Sequence, residues 1–512
     1  MAGRDLQIMN RRSLLQSLAF VMACIVLGCA GENEKDTPSH VAQLFAGQSL
    51  DVVVPSGHGF AEAWQIVLDE WSAQTGAECR IYEADFGDET RSVAEVLSSA
   101  GGRSSDVLPT LFLVPNTRLA ELGTAGLCAN IPAKYQSGEY LAWKDIFRGL
   151  RAGTAMFDRK PICVPVSSPV LVCGYRADLL TEAGLSPPET WGEYQKLIEK
   201  LDDWAPGLTA TEPWGEEFRS TLFFSRAAAH AKHPSNYSFF FDVATGAPTI
   251  DTPGFHRALE QSQAALAKMP AEVRDHSPAD CLRELLTGRA AIGLTLDVGA
   301  GGGKLPFGPS TETSAEIQTV AESWERVDSI DLGFVRLPGA KEVYNMSTKR
   351  FESPDGWVQR ATVTGFAGLS VCVAAEAKDA DAAWNLLGTI AVTHLTEAFP
   401  VGTKSACRTS QIDSAADWLG PAFRTGESIQ YSKAVAASLD DENLLAELPL
   451  PGRQRFRQAM TEALGQLFSE SPPSPSELLK KVSDEWQAIR DEMGDRNVHT
   501  GYLRCLGVPV VE

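Results

Sequence analysis

Leu50-Asp51-Val52-Val53-Val54-Pro55 is a short, almost wholly apolar run of the kind that forms a buried strand. The turn Ser56-Gly57-His58-Gly59 follows it. From Phe60 to Thr75 the apolar residues Ala63, Ile66, Val67 and Trp71 recur at helical spacing, and Gly76 stops the pattern. Cys79 to Ala84 reads as a second strand. Strand, helix and strand in that order predict a parallel sheet, and so an α/β fold.

Downstream, helices are expected over Val93–Ala100, Thr117–Leu122, Asp178–Ala183 and Gly192–Leu201, the last capped by Thr190. Strands are expected at Thr110–Val114, Ile162–Val166, Val170–Val172, Gly207–Ala210, Ala290–Leu296 and Leu332–Leu337. Amphipathic patterns mark helices at Phe255–Lys268, Pro278–Leu286 and Lys378–Val392. From Arg453 onward the pattern is helical, broken at Ser471-Pro472-Pro473-Ser474-Pro475.

Upstream, Arg4, Arg11 and Arg12 precede an apolar run from Leu14 to Leu27 that is too short to span a bilayer and suits an export signal. The run ends in Val26-Leu27-Gly28-Cys29, which resembles a bacterial lipobox; cleavage after Gly28 would leave Cys29 as the lipid attachment site. Arg11-Arg12-Ser13-Leu14-Leu15 also resembles a twin-arginine signal. Gly31 to His40 is polar and reads as a tether. The expectation is an exported, membrane-anchored protein on the periplasmic or cell-surface side.

The chain has 512 residues, is 44% hydrophobic and carries a net charge of −21. That acidity argues against nucleic acid as a partner and favours a neutral or cationic small ligand. Arg453 and Arg455 form the local basic patch where an anionic one would be accepted. Eight cysteines remain beyond Cys24 and Cys29, and Cys163 and Cys173 flank a possible hairpin. No pair has zinc-like spacing, and no metal or cofactor is expected.

Val164-Pro165, Tyr175, Ala183-Gly184-Leu185 and Pro188-Glu189-Thr190-Trp191 resemble, in this order, the signature of the family 1 extracellular solute-binding proteins, the maltose-binding-protein-like receptors of ABC importers. Leu285 to Ile292, Gly333 to Gly339, Gly365 to Val371 and Ser476 to Ile489 resemble further family segments. The resemblance implies a two-lobe periplasmic-binding-protein-like fold (type II), with discontinuous lobes around a hinge and a central cleft. A signal peptide would occupy 1–28 and the tether 29–41. Lobe I would comprise 42–166 plus 370–420, and lobe II 167–369 plus 421–505. The sequence departs from the family at Arg176, at Val298-Gly299 and at an insertion from Val343 to Gly356.

In open α/β sheets ligands sit beyond the carboxyl ends of strands. Candidate ligand-binding residues are therefore Ser56 and His58 after the first strand, Asp106 and Thr110 at the next strand end, and Ser168 at a crossover between lobes. Asp297 ends the Ala290–Leu296 strand, and Gly299 to Gly303 follows it. Thr364 and Phe366 flank Gly365 before the return strand, and Arg453 opens a late helix. Glu212 and Trp214 correspond, through the resemblance, to a carboxylate-Pro-aromatic segment that would grip a sugar. Trp324 and Trp357 are expected to pack in cores.

No GxSxG, HExxH, Walker A or HRD motif is present, and His230 and His233 lack a third ligand nearby in sequence. The expected function is a monomeric receptor, with no catalytic role, that captures a small polar solute, with a sugar as the expected class, for an ABC transporter permease. A sensory lipoprotein without an importer and a carbohydrate-active enzyme are the alternatives.

Overall fold

The computed structural model describes residues 44–57, 59–88, 90–102, 108–138, 140–296, 326–393, 405–413, 419, 423–441 and 443–510. The export signal, the tether and Cys29 lie outside these, as do His58, Asp106, Asp297, Gly299 to Gly303 and Trp324.

Two sheets organise the described chain. The first has five strands: β1 (Ser49–Pro55), β2 (Glu78–Ala84), β3 (Leu111–Pro115), β4 (Val164–Ser167) and, after the second sheet has been built, a returning strand Leu369–Val373. The second has four: β5 (Val172–Arg176), β6 (Thr209–Thr211), β7 (Ala290–Thr295) and β8 (Leu332–Arg336). The return strand is numbered β9. The orders are β2-β1-β3-β9-β4 and β8-β5-β7-β6.

The opening unit forms as its sequence dictates. β1 pairs in parallel with β2 and β3, with Val52 opposite Ile81 and Leu111. The intervening helix runs Phe60–Thr75, buries Phe60, Trp64, Leu68 and Trp71 against the sheet, and ends at Gly76 in the left-handed region. β9 returns antiparallel between β3 and β4, with Leu369 opposite both Pro115 and Ser167. In the second sheet, Gly293 of β7 faces Gly174 of β5 on one side and Thr211 of β6 on the other.

Each sheet has its own apolar core. The first gathers Val52, Trp64, Trp71, Phe112 and Val371, and extends through Phe334 to Tyr431 and Leu439. The second is built on Trp191, Phe223, Phe224, Phe240, Phe456 and Trp486. The helix Thr425–Leu439 packs on β8 and on the helix Arg148–Ala152, so it joins the two bodies.

The chain crosses between the sheets at Ser168–Leu171 and at Gly365–Gly368, and Asn116, the first residue beyond β3, ties both crossings together. Its amide donates to the Ser167 carbonyl at 3.3 Å and the Ala367 carbonyl at 3.4 Å, and its oxygen accepts from Ser370 Oγ at 2.7 Å. Gly368, at φ 89°, lies against the Ser167 carbonyl so closely that a Cβ would collide with it. Ser405 joins the same knot: its hydroxyl lies 3.0 Å from Ser167 Oγ and accepts from the Ser168 amide at 2.6 Å.

The Val343–Gly356 insertion forms a hairpin, Val343–Asn345 against Arg350–Glu352. It packs on the helix Arg219–Ala231, and Asn236 holds it by donating to the Tyr344 carbonyl at 3.1 Å. All eight cysteines among the described residues are free thiols. Cys163 and Cys173 sit in different cores, so the two are not a pair. Burial raises the Cys173 thiol pKa.

Candidate functional site

A cavity of about 620 Å³ opens between the two bodies. Its floor on the first body is the carboxyl edge of β3, through Asn116, Thr117 and Ala120, and the turn Gly153–Thr154 with Phe157. On the second body Arg336, the last residue of β8, reaches the same space. Both sheets therefore point strand ends at one site, the placement that ligands take in open α/β sheets.

Three further segments of the second body complete the wall. Lys232, Asn236, Tyr237 and Phe240 come from the coil after the helix Arg219–Ala231. Val358, Gln359 and Arg360 follow the inserted hairpin. Asn443, Glu447 and Arg453 come from the segment after the joining helix, Tyr502 from the last helix, Asp495–Cys505, and Leu506 from its C-cap.

The polar groups here are strongly organised. Glu447 is buried, accepting from Thr221 Oγ1 at 2.6 Å, Arg453 Nη2 at 2.9 Å and Arg457 Nε at 3.2 Å. Asp441 pairs with Arg336 and caps the Asn443 amide at 2.9 Å. Asn443 donates to the carbonyls of Lys232 at 3.4 Å and Arg360 at 3.2 Å, binding those two segments together. Lys232 is only 9% exposed; burial pushes its pKa down to about 8, and its ammonium donates to the Asn236 carbonyl at 2.5 Å. Arg360 donates to the Glu189 carbonyl at 3.0 Å, and burial, then nearby Arg336, lowers its pKa. Thr154 Oγ1 is buried without a partner among the described residues. Tyr237 is 61% exposed, with its hydroxyl donating to the Leu506 carbonyl at 3.2 Å.

Of the described residues expected from sequence to bind ligand, only Arg453 lines the cavity. Gly365 lines it too, but its neighbours turn away: Thr364 is buried in a ladder with Ala446 and donates to the Leu445 carbonyl, and Phe366 is in the second core. Glu212 and Trp214 are fully buried away from the cleft. The reason is electrostatic: Arg226, from the helix behind, reaches Glu212 at 2.6 Å, and the Trp214 indole donates to the other Glu212 oxygen at 2.9 Å. Thr110 stands at the entry to β3 rather than its exit, donating its amide to the Asp51 carbonyl at 2.8 Å, so it faces away from the cleft edge. Ser56 follows β1 on the correct edge but does not reach the cavity. Ser168 is buried at the crossover, not in the cavity wall. Trp357, expected in a core, is 75% exposed beside the cleft segment Val358–Arg360.

No group of metal-ligating residues occurs among the described residues. His230 is buried and bonded to Gln261 at 2.7 Å, whereas His233 lies 3.3 Å from Glu352 of the hairpin.

This architecture is the two-lobe periplasmic-binding-protein fold. No protein-family model matches the chain. Solved structures do match it. The sugar-binding protein MalE from Xanthomonas citri aligns over 87% of this chain and 99% of its own, at 16% identity and TM-score 0.58. A maltose-bound MalE3 from T. maritima aligns over 86% and 100%, at 13% identity and TM-score 0.57. An ABC-transporter solute-binding protein from Agrobacterium radiobacter K84, in complex with ribitol, aligns over 87% and 99%, at 15% identity and TM-score 0.56.

Proposed function

We propose that the chain is an extracytoplasmic solute receptor that captures a small hydroxylated solute, a sugar or sugar derivative, and presents it to an ABC transporter permease. The observation that carries this reading is the cavity of about 620 Å³ walled by strand ends of both bodies, with the chain crossings knotted at Asn116 beside it. That volume suits a small ligand. A solute touching both walls binds the closed arrangement more tightly than an open one, and so drives closure about the crossings. Tyr237 offers a ring to the apolar face of a sugar, and Thr154 Oγ1 an unused hydroxyl from the opposite wall.

Export and anchoring at Cys29 belong to this proposal. No helix of the described residues is long and apolar enough to cross a membrane. The reading is tested by a thermal-shift screen of the purified protein against sugars, polyols, sugar acids and amino acids. A ligand that binds only the folded form raises the melting temperature by mass action. A rise with one solute class, and recovery of that solute unchanged after long incubation, is the expected result. Conversion of the solute would replace this reading with an enzyme.

A further inference from the structure

The chain as a whole carries −21, yet the cavity wall has the opposite sign: Lys232, Arg336, Arg360 and Arg453 against Asp441 and Glu447. Both carboxylates are already engaged. Glu447 holds Arg453 and Arg457, and Asp441 holds Arg336. Each is therefore committed to charges of the wall itself, which leaves the excess positive charge to Lys232 and Arg360. Lys232 and Arg360 are left without an ion pair to any described residue. Lys232 is bonded to a backbone carbonyl, and Arg360 likewise, with its Nε buried and unpartnered. Glu189, Asp441 and Glu193 act on Arg360 only beyond ion-pair distance.

Lys232 is buried and Arg360 half-buried, and a cation held out of water without a counter-ion is costly unless something completes it. The two cations are also held in register, because the single Asn443 amide binds the main chains of both segments. The acidic surface does not cancel this local field, since screening at physiological salt confines charges to about 8 Å.

We propose that the solute carries an oxyanion, a carboxylate or a phosphate, on its hydroxylated body, and that Lys232 and Arg360 supply the counter-charge. This rests on the receptor reading and narrows it to acidic sugars and sugar phosphates. Guanidinium and ammonium donors give short, charge-assisted bonds to such groups, and Arg360 presents a planar fork suited to two oxygens.

The test is calorimetric titration of the intact protein with matched sets: each neutral sugar or polyol, its uronate or aldonate, and its phosphate ester, together with acetate and inorganic phosphate alone. The expected result is that one acidic member binds about tenfold or more tightly than its neutral parent. Preference for the uronate assigns a carboxylate, and preference for the ester a phosphate. The preference should shrink to about threefold or less in Lys232→Met and Arg360→Met, and return in Lys232→Arg. The wild-type comparison stands even if a variant does not fold. A neutral parent binding as tightly as its acids would overturn the inference and leave the receptor reading intact. Acetate or phosphate binding as tightly as the full solute would overturn the hydroxylated body. No binding by any member would overturn both readings.

Discussion

Glu212→Ala is the perturbation that most sharply separates core from cleft. Glu212 is 0% exposed, and its carboxylate accepts from Arg226 at 2.6 Å and from Trp214 at 2.9 Å. Arg226 also donates to Ser262 at 2.8 Å and lies over the Trp191 ring at 4.4 Å. Removing the carboxylate strands a guanidinium among aromatic side chains with one hydroxyl partner. Breaking a buried pair on one side typically costs about 3–5 kcal/mol. For a cooperative unit of roughly 150–250 residues each kcal/mol shifts the melting temperature by about 2–4 °C, so a fall of roughly 6–20 °C is expected. Replacing both partners, Glu212→Met with Arg226→Met, should recover most of that loss, because a well-packed apolar pair avoids the cost of desolvating two charges. The assay is scanning calorimetry, with ligand affinity measured below the transition. A Glu212→Ala protein that melts within two or three degrees of the parent but binds its solute far more weakly would refute the assignment and return Glu212 to the site.

Other consequences follow from the same geometry. Tyr237→Ala should weaken solute binding by about 1 kcal/mol while leaving the melting temperature nearly unchanged, since this ring is exposed in the cleft. Thr190→Ala should cost about 1 kcal/mol in urea unfolding, because Thr190 Oγ1 accepts from the Glu193 amide and Glu193 reaches back to the Thr190 amide. Gly293→Ala should cost about 1–3 kcal/mol, since a Cβ there would meet Thr211 Cγ2 at 2.5 Å and its carbonyl oxygen at 2.7 Å. Burial lowers the His230 pKa from 6.5 to about 4. The unfolded chain therefore binds more protons between those values, and stability should fall as pH drops from 6.5 towards 4, by up to on the order of 3 kcal/mol. His230→Gln should flatten that slope in melting temperatures recorded across the window.

Where local chemistry decides an element, the sequence was legible. Phe60–Thr75 and Pro278–Leu286 begin and end where periodicity, Gly76 and the proline start place them. Thr190 caps its helix, and the inserted Val343–Gly356 stretch folds as a separate hairpin. The helix Arg219–Ala231 escaped notice although its sequence is amphipathic; its polar residues Ser225, Arg226 and His230 are buried rather than turned to water. Thr425–Leu439 escaped for a related reason: it buries Glu427, Ser428, Ser432 and Ser438 between the bodies, and its polarity hides its packing.

The cleft was harder to read than the fold. Glu212-Pro213-Trp214 has the composition of a sugar grip, and nothing adjacent in sequence reveals that Arg226 turns it inward. The actual wall comes from coil that trails elements far apart in the chain: Lys232 to Phe240, Val358 to Arg360, and Asn443 to Arg453. Only the tertiary fold brings these together. Arg453, expected from its place at the opening of a late helix, lines the cavity and is paired there with Glu447.

A receptor of this kind holds its solute between the two bodies, in contact with both. The decisive measurement is a crystal structure of the protein with its tightest-binding solute. Density is expected in the cavity, touching the Gly153–Thr154 turn on one wall and Lys232, Tyr237 or Arg360 on the other. A solute bound outside this cavity, or held by one body alone, would contradict it.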